Sequence, residues 1–482
     1  MMPSSFTPQA WSQFKPWANR NIWLYGCDLA TELRQAREEG RDLSSVTMEF
    51  SRLMKQERAA GYMENLLSGQ RGQRWFADAC ALIDRVQTLP TLKHYPHVEP
   101  DDLAKIRHQR GPAAPLPTWR GSRKQHAAQV RGGFLGRVAG CMLGKPFECA
   151  SRESIQLWAE ATGNWPLKIY QRAPTSSELR RIQAKRPVKP IRTKMTEFFI
   201  DRSDGFPSDD DINYTVLGML VMKQSGRDFQ PTDMAALWIG QLPLLNTCTA
   251  ERVAYRNFVA GCLPPQSATL RNPYREWIGA QIRADFFGYA APGDPAQAAE
   301  WAWRDASISH VKNGIYGEMW VAAMLAAAFV LPDWPQIIRA GLAQVPSRSR
   351  LHAGVERILA EHAAGATFED IIDGIHREWN ELDQHDWCHT ISNAQVVAAS
   401  LLCGGDDFSR TITLAVGAGF DTDCNGATCG SLWGVRFGEA AIPHKWLQPL
   451  HNRIRTNLLD YPLQTIDELA EVVAATAVRI AP

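Results

Sequence analysis

The sequence has no apolar run long enough to cross a bilayer. The longest, Met319–Leu331 (MWVAAMLAAAFVL), stops at Pro332 and falls short of the ~20 apolar residues a spanning helix needs, so it reads as a buried helix. The opening MMPSSFTPQAWSQFK lacks the apolar centre of a secretory signal. Ten cysteines are present, but no C-x-x-C pair, which points to reduced thiols. Together these features lead us to expect a cytoplasmic protein. Net charge is also missing: 52 Lys and Arg against 51 Asp and Glu leave +1, with no global pull toward nucleic acid or membrane. We find no internal repeat and no low-complexity tract.

What is present is ordinary globular material. With 482 residues, 45% of them hydrophobic and 21% charged, the chain has room for two or three domains, or for one large domain with an appendage. Apolar residues three and four apart predict helices over Asn21–Glu39, Val46–Leu67 and Gln73–Gln87. Ala296–Val330 and Ile391–Leu402 have the Ala, Leu and Met content of a helical core, and no run of alternating strands stands out. The seventeen tryptophans fit such a core better than a sugar platform. Gly111–Trp119 (GPAAPLPTW) has three prolines and no helical period. The expected order is an N-terminal helical region over 1–110, a linker over 111–120 and a main helical domain over 121–482. Gln171–Lys194, with eight Lys and Arg and one acid (Glu178), reads as a solvated basic loop; recognition of an anionic substrate is the alternative.

Three stretches carry candidate chemistry. In PSDDDINYTVLGMLVM, Pro207–Met222, an apolar stripe follows Ser208 or Asp209 at an N-cap position. One acid suffices for a cap, whereas Asp209, Asp210 and Asp211 in succession repel one another. A divalent cation would offset that repulsion, with carboxylate and hydroxyl oxygens as its ligands. In GFDTDCNGATCGSLWG, Gly419–Gly434, the opening Asp421–Gly426 fits an EF-hand, but its twelfth position is Leu432 where a bidentate Glu is required. Gly426, Gly430, Gly434 and Gly438 instead fall on one helical face. Glycine costs roughly 1 kcal/mol per helix position relative to alanine, so such a row implies close approach of a backbone or ligand. The picture is a loop presenting Asp421 and Asp423 ahead of a bare-faced helix; acidic capping of a packing helix is the alternative. In RGGFLGRVAGCMLGKPFE, Arg131–Glu148, Gly132, Gly136, Gly140 and Gly144 repeat the spacing and lead to Glu148. Pro146 after Lys145 rules out a phosphate loop.

In their order along the chain, the three stretches resemble the ADP-ribosylglycohydrolase family, which includes the dinitrogenase reductase-activating glycohydrolase. The resemblance covers roughly Arg131–Gly438. It implies one large orthogonal all-α domain, and hydrolysis of a glycosidic bond at the anomeric carbon of ADP-ribose by a binuclear magnesium centre, Mn2+ being a substitute. By matching positions, Ser208, Asp209, Asp210, Asp421 and Asp423 become metal ligands, and Glu148, Asp209 and Asp210 the acid and base groups. His310, Asn313 and Gly426 fall to the substrate. The expected partner is a small-molecule or protein-linked ADP-ribosyl or ribosyl group, with neither nucleic acid nor membrane. Three departures stand out: Cys141 where the family has Asp, Asp211 where it has Thr, and Cys424 in place of a hydroxyl residue. A soft thiol is a poor ligand for magnesium. The rival expectations are a nucleoside or small N-riboside hydrolase, and a non-catalytic binding or structural protein that retains the fold.

Two weaker candidates have structural alternatives. His385, Cys388 and His389 in HDWCHT suggest zinc but lack a second ligand pair, so a helix-packing cluster is expected. Arg275 and Arg283, in the aromatic stretch Asn272–Tyr289, suit either a stacked base and phosphate or buried salt bridges.

Overall fold

A computed structural model describes residues 22–60 and 70–481. Helices dominate it. The two strands among the described residues, Arg453–Arg455 and Leu463–Thr465, form one short antiparallel pair with Ile454 opposite Gln464. The all-α expectation holds. The helix expected over Asn21–Glu39 is broken into Ile22–Tyr25 and Leu29–Glu38, with Gly26 at φ 61° between them and Asp28 capping the second. The other two appear as Thr47–Ala60 and Gln70–Val86; the reach of the former toward Leu67 lies outside the described residues. No helix of the described residues is long and apolar enough to cross a membrane.

The chain forms two compact units. The first comprises Met1–Pro96, Pro243–Arg275 and Ile308–His310. Its core gathers Leu29, Phe50, Leu53, Trp75, Leu82 and Ile83. Buried Arg275 is held there by Glu32 and Glu39, each at 2.7 Å. The second unit comprises His97–Leu242, Glu276–Ser307 and Val311–Pro482. Residues 111–122 carry no regular element. The apolar run Met319–Leu331 lies mostly within the helix Lys312–Ala328, whose residues from Asn313 onward are all buried. Gln171–Lys194 is not wholly loop: Ser176–Ala184 is a helix with a capping box from Thr175 and Glu178.

Four helices of the second unit position the site: α1 (Arg123–Gly144), α2 (Asp210–Ser225), α3 (Thr390–Gly404) and α4 (Thr422–Phe437). The two glycine rows read from the sequence meet each other. Gly132 faces Gly434, Gly136 faces Gly430, Gly140 faces Gly426, and Gly144 faces Thr422, so α1 and α4 run antiparallel in backbone contact. A Cβ at any of these glycines would come closer than 3.0 Å to backbone atoms of the other helix. Gly438 does something different. With φ 80° it ends α4, its N–H returning to Gly434 O. This antiparallel ladder sets the last turn of α1 beside the first turn of α4, and Thr422 Oγ1 ties the two with a 2.9 Å hydrogen bond to Gly144 O.

Candidate active site

Where the ladder ends, α1 tightens into the 3-10 turn Lys145–Phe147, followed by Glu148. The start of α4 is aimed by strain. Phe420 adopts a left-handed φ of 57°, a conformation that costs a non-glycine residue about 1–2 kcal/mol. Its carbonyl is held by Trp387 Nε1 at 2.7 Å. Asn393 on α3 then fixes the start of the helix, its Oδ1 accepting from the Asp421 N–H at 3.1 Å and from Asn425 Nδ2 at 2.8 Å. Asp423 lies in the first turn of α4 itself rather than in a preceding loop.

The N-caps of α2 and α4 differ. Asp209 caps α2 in the ordinary way, its Oδ1 accepting from the Asp211 N–H at 2.9 Å. Asp421 occupies the same position on α4, but its side chain makes no capping bond. Beside it, buried Asp423 leaves Oδ1 with no hydrogen-bond partner, as does Asn425 with its Oδ1. Ligand atoms of Cys141, Asp209, Asp211 and Asp423 lie within 4.8 Å of one another, as do those of Asp421, Asp423 and Cys424. Asp423 belongs to both groups.

Two cations of the chain enter this cluster. Fully buried Arg137 on α1 donates to Asp211 Oδ1 at 2.7 Å and to Asp285 Oδ2 at 2.8 Å, and also holds the Asp211 carbonyl at 3.0 Å. Lys145 Nζ lies 3.1 Å from Asp423 Oδ2 and 3.3 Å from Glu148 Oε2, and pairs with Asp209. Three adjacent aspartates therefore do not need a metal to offset their mutual repulsion entirely, because Arg137 and Lys145 answer two of them. The electrostatics divide accordingly. Burial opposes ionisation of Asp209, but the Lys145 ammonium and the Asp211 N–H hold its carboxyl below the usual range. Burial raises Asp423 from 3.8 to about 6, Lys145 restraining the rise while Glu148 and Asp209 add to it. Burial and the neighbouring Asp423 push Asp421 well above its ordinary value; burial and Asp209 do the same to Asp210.

The structure brings Asp209, Asp423 and Glu148 together around Lys145, with Asp421 beside Asp423 and Asp210 inside the same field. Ser208 stands half-buried just before the N-cap of α2. Gly426 lies within the ladder, packed on the Gly140 carbonyl. Asn313 donates to Glu99 at 2.8 Å and Glu276 at 2.7 Å, and its Oδ1 accepts from the Leu351 N–H at 2.9 Å, in a buried network with Arg350. His310 belongs to the first unit, with Nδ1 2.8 Å from Ser309 Oγ and Nε2 4.0 Å from Glu251. In HDWCHT, His389 caps α3 through the Ile391 N–H, and His385 accepts from Trp277 Nε1. Arg283 pairs with Asp305 at 2.6 Å, so both arginines of the aromatic stretch sit in buried salt bridges.

Sequence reasoning missed Arg137, Lys145 and Asn393 as members of the site. Lys145 left a signal, a cation inside the turn that delivers Glu148; the other two left none. Two residues of the basic stretch also reach this region, Arg192 lying 3.7 Å from Glu148 and Lys189 Nζ donating to the Glu381 carbonyl at 2.5 Å.

The sequence profile of the ADP-ribosylglycohydrolase family matches residues 122–479. Among curated proteins none matches. A solved structure described as an ADP-ribosylglycohydrolase-related protein complex is 20% identical with a TM-score of 0.47, over 74% of this chain and 100% of that chain.

Proposed function

The chain belongs to the ADP-ribosylglycohydrolase family, and on that premise we propose that it hydrolyses the glycosidic bond at the anomeric carbon of an ADP-ribosyl or related ribosyl substrate, small or protein-linked, with the help of a divalent cation. The observation that supports the cation is the first turn of α4. An acid kept only to stabilise a helix start spends its oxygens on free N–H groups, as Asp209 does. Asp421 caps nothing, and buried Asp423 Oδ1 has no donor. Leaving such a group unmet costs on the order of 1–3 kcal/mol, which a bound cation would relieve.

The donors that remain are hard oxygens, from Asp421, Asp423, Asp210 and Ser208, and they fit Mg2+ with Mn2+ as substitute. Such an ion, when bound, supplies a grip on the ribose 2- and 3-hydroxyls and a more acidic water. The chain's own groups do the rest. Glu148, half-buried at the end of its turn, is positioned to pass a proton between solvent and the reacting oxygen. The surrounding carboxylates stabilise the positive charge that develops at the anomeric carbon in an oxocarbenium-like transition state.

A substrate panel tests the reaction. Release of ADP-ribose from ADP-ribosylated protein or small-molecule acceptors is expected to exceed turnover of free nucleosides by at least tenfold in kcat/KM. Preference for nucleosides would move the chain to the nucleoside hydrolases. Binding of ADP-ribose without release from any acceptor would make it a binding protein on the same fold.

A further inference from the structure

Lys145 occupies the point where the carboxylates of three elements converge: Glu148 after the 3-10 turn, Asp209 at the start of α2 and Asp423 in the first turn of α4. Its side chain is itself buried. Both oxygens facing it, Asp209 Oδ2 and Asp423 Oδ2, are engaged by Nζ. A Mg2+ or Mn2+ ion needs such oxygens at about 2.0–2.2 Å, and in this half of the cluster it would meet an ammonium charge at close range. The other two groups there are Asp211, whose Oδ1 is held by Arg137 at 2.7 Å, and Cys141, a soft sulfur that serves a hard cation poorly. The other half differs: Asp421 makes no capping bond, its Oδ2 meets the Cys388 thiol at 3.9 Å and its carboxyl the neighbouring Asp423 carboxyl, and buried Asp423 Oδ1 has no hydrogen-bond partner.

We propose that this chain holds one divalent cation, on Asp421 and the free oxygen of Asp423, and that the Lys145 ammonium replaces the second ion of a binuclear centre. The inference rests on the cation reading above and sharpens it. Positive charge on the Asp209 side is then built into the polypeptide and stays when the ion leaves. Lys145 is a positioning residue: its ammonium gathers Asp209, Asp423 and Glu148 and turns the free oxygen of Asp423 toward the ion.

The test counts Mn2+ on the full-length protein, by equilibrium dialysis with metal analysis and by electron paramagnetic resonance. Wild type is expected to bind one Mn2+ per chain, with the sharp six-line spectrum of an isolated ion. Lys145→Met is expected to bind two, with the broadened spectrum of a coupled pair. Lys145→Arg, which keeps the charge, is expected to remain at one. Circular dichroism and melting curves report whether each variant is folded, and if Lys145→Met is not, the wild-type and Lys145→Arg counts decide. Two coupled ions in wild type would overturn the proposal and leave the cation reading standing. No bound ion would overturn both, and a folded Lys145→Met that still binds one ion would remove Lys145 from its role.

Discussion

At the scale of single residues the site is a contest between carboxylates and the cations that answer them. Arg137 is the sharpest case, a fully buried guanidinium shared by Asp211 and Asp285. Removing one partner of such a pair costs about 3–5 kcal/mol, because the other is left buried and charged. Arg137→Met is therefore expected to lower unfolding free energy in urea by that order, and a loss below about 1 kcal/mol would contradict the network. Asp423 supplies a pH dependence. Its carboxyl rises from 3.8 to about 6 on folding, so between those values the folded protein keeps a proton that the unfolded chain has released. Stability without the ion therefore falls as pH rises through that window. An ion held by Asp423 would bind the deprotonated carboxylate, so the gain in melting temperature from Mn2+ should grow from pH 5 to pH 7. A gain independent of pH would show that Asp423 is not a ligand.

The acids that gather here were readable in the sequence, because Asp209, Asp210, Asp421 and Asp423 stand in short motifs with recognisable neighbours. The cations were not. Arg137 and Asp211 are 74 positions apart, Lys145 and Asp423 278 apart, and no local pattern couples them.

At the scale of elements, the glycine ladder of α1 and α4 carries the site. Its four-residue spacing was legible because glycine is a costly choice on a helix face; that the two rows were for each other was not, since either could equally have met a ligand. Gly136→Val tests the ladder. Its Cβ would come closer than 3.0 Å to the Gly430 carbonyl, so the helices must part. We expect a loss of at least 2–3 kcal/mol in stability, as overpacking of a tight core gives, and weaker Mn2+ binding although no ligand has changed. Gly240→Ala is the matched control. It lies on an exposed face of the helix Pro231–Gln241 with nothing within 4 Å of a new Cβ, and should stabilise by roughly 0.5–1 kcal/mol. Equal effects of the two substitutions would mean that α1 and α4 are not in backbone contact.

At the scale of the whole molecule the helical class followed from periodicity, and the division of the chain did not. Pro243–Arg275 and Ile308–His310 pack with residues from the N-terminal part, and a segment that returns from afar carries no mark of its destination. Buried Arg275 shows the dependence, since both its acids, Glu32 and Glu39, precede residue 97. Truncation to residues 97–482 is expected to give insoluble protein or to abolish the cooperative melting transition. A soluble fragment that melts cooperatively would contradict that expectation.

Cation-dependent cleavage of a ribosyl bond at the Asp421 and Asp423 end of α4 stands or falls with one assay. Release of ADP-ribose from an ADP-ribosylated acceptor is measured in excess EDTA and again after Mg2+ is restored, for wild type and for Asp423→Asn. Wild-type activity should vanish in EDTA and return with Mg2+, and Asp423→Asn should stay at least a hundredfold below the restored wild type under both conditions. Undiminished wild-type activity in EDTA, or an Asp423→Asn variant as active as wild type, would contradict it.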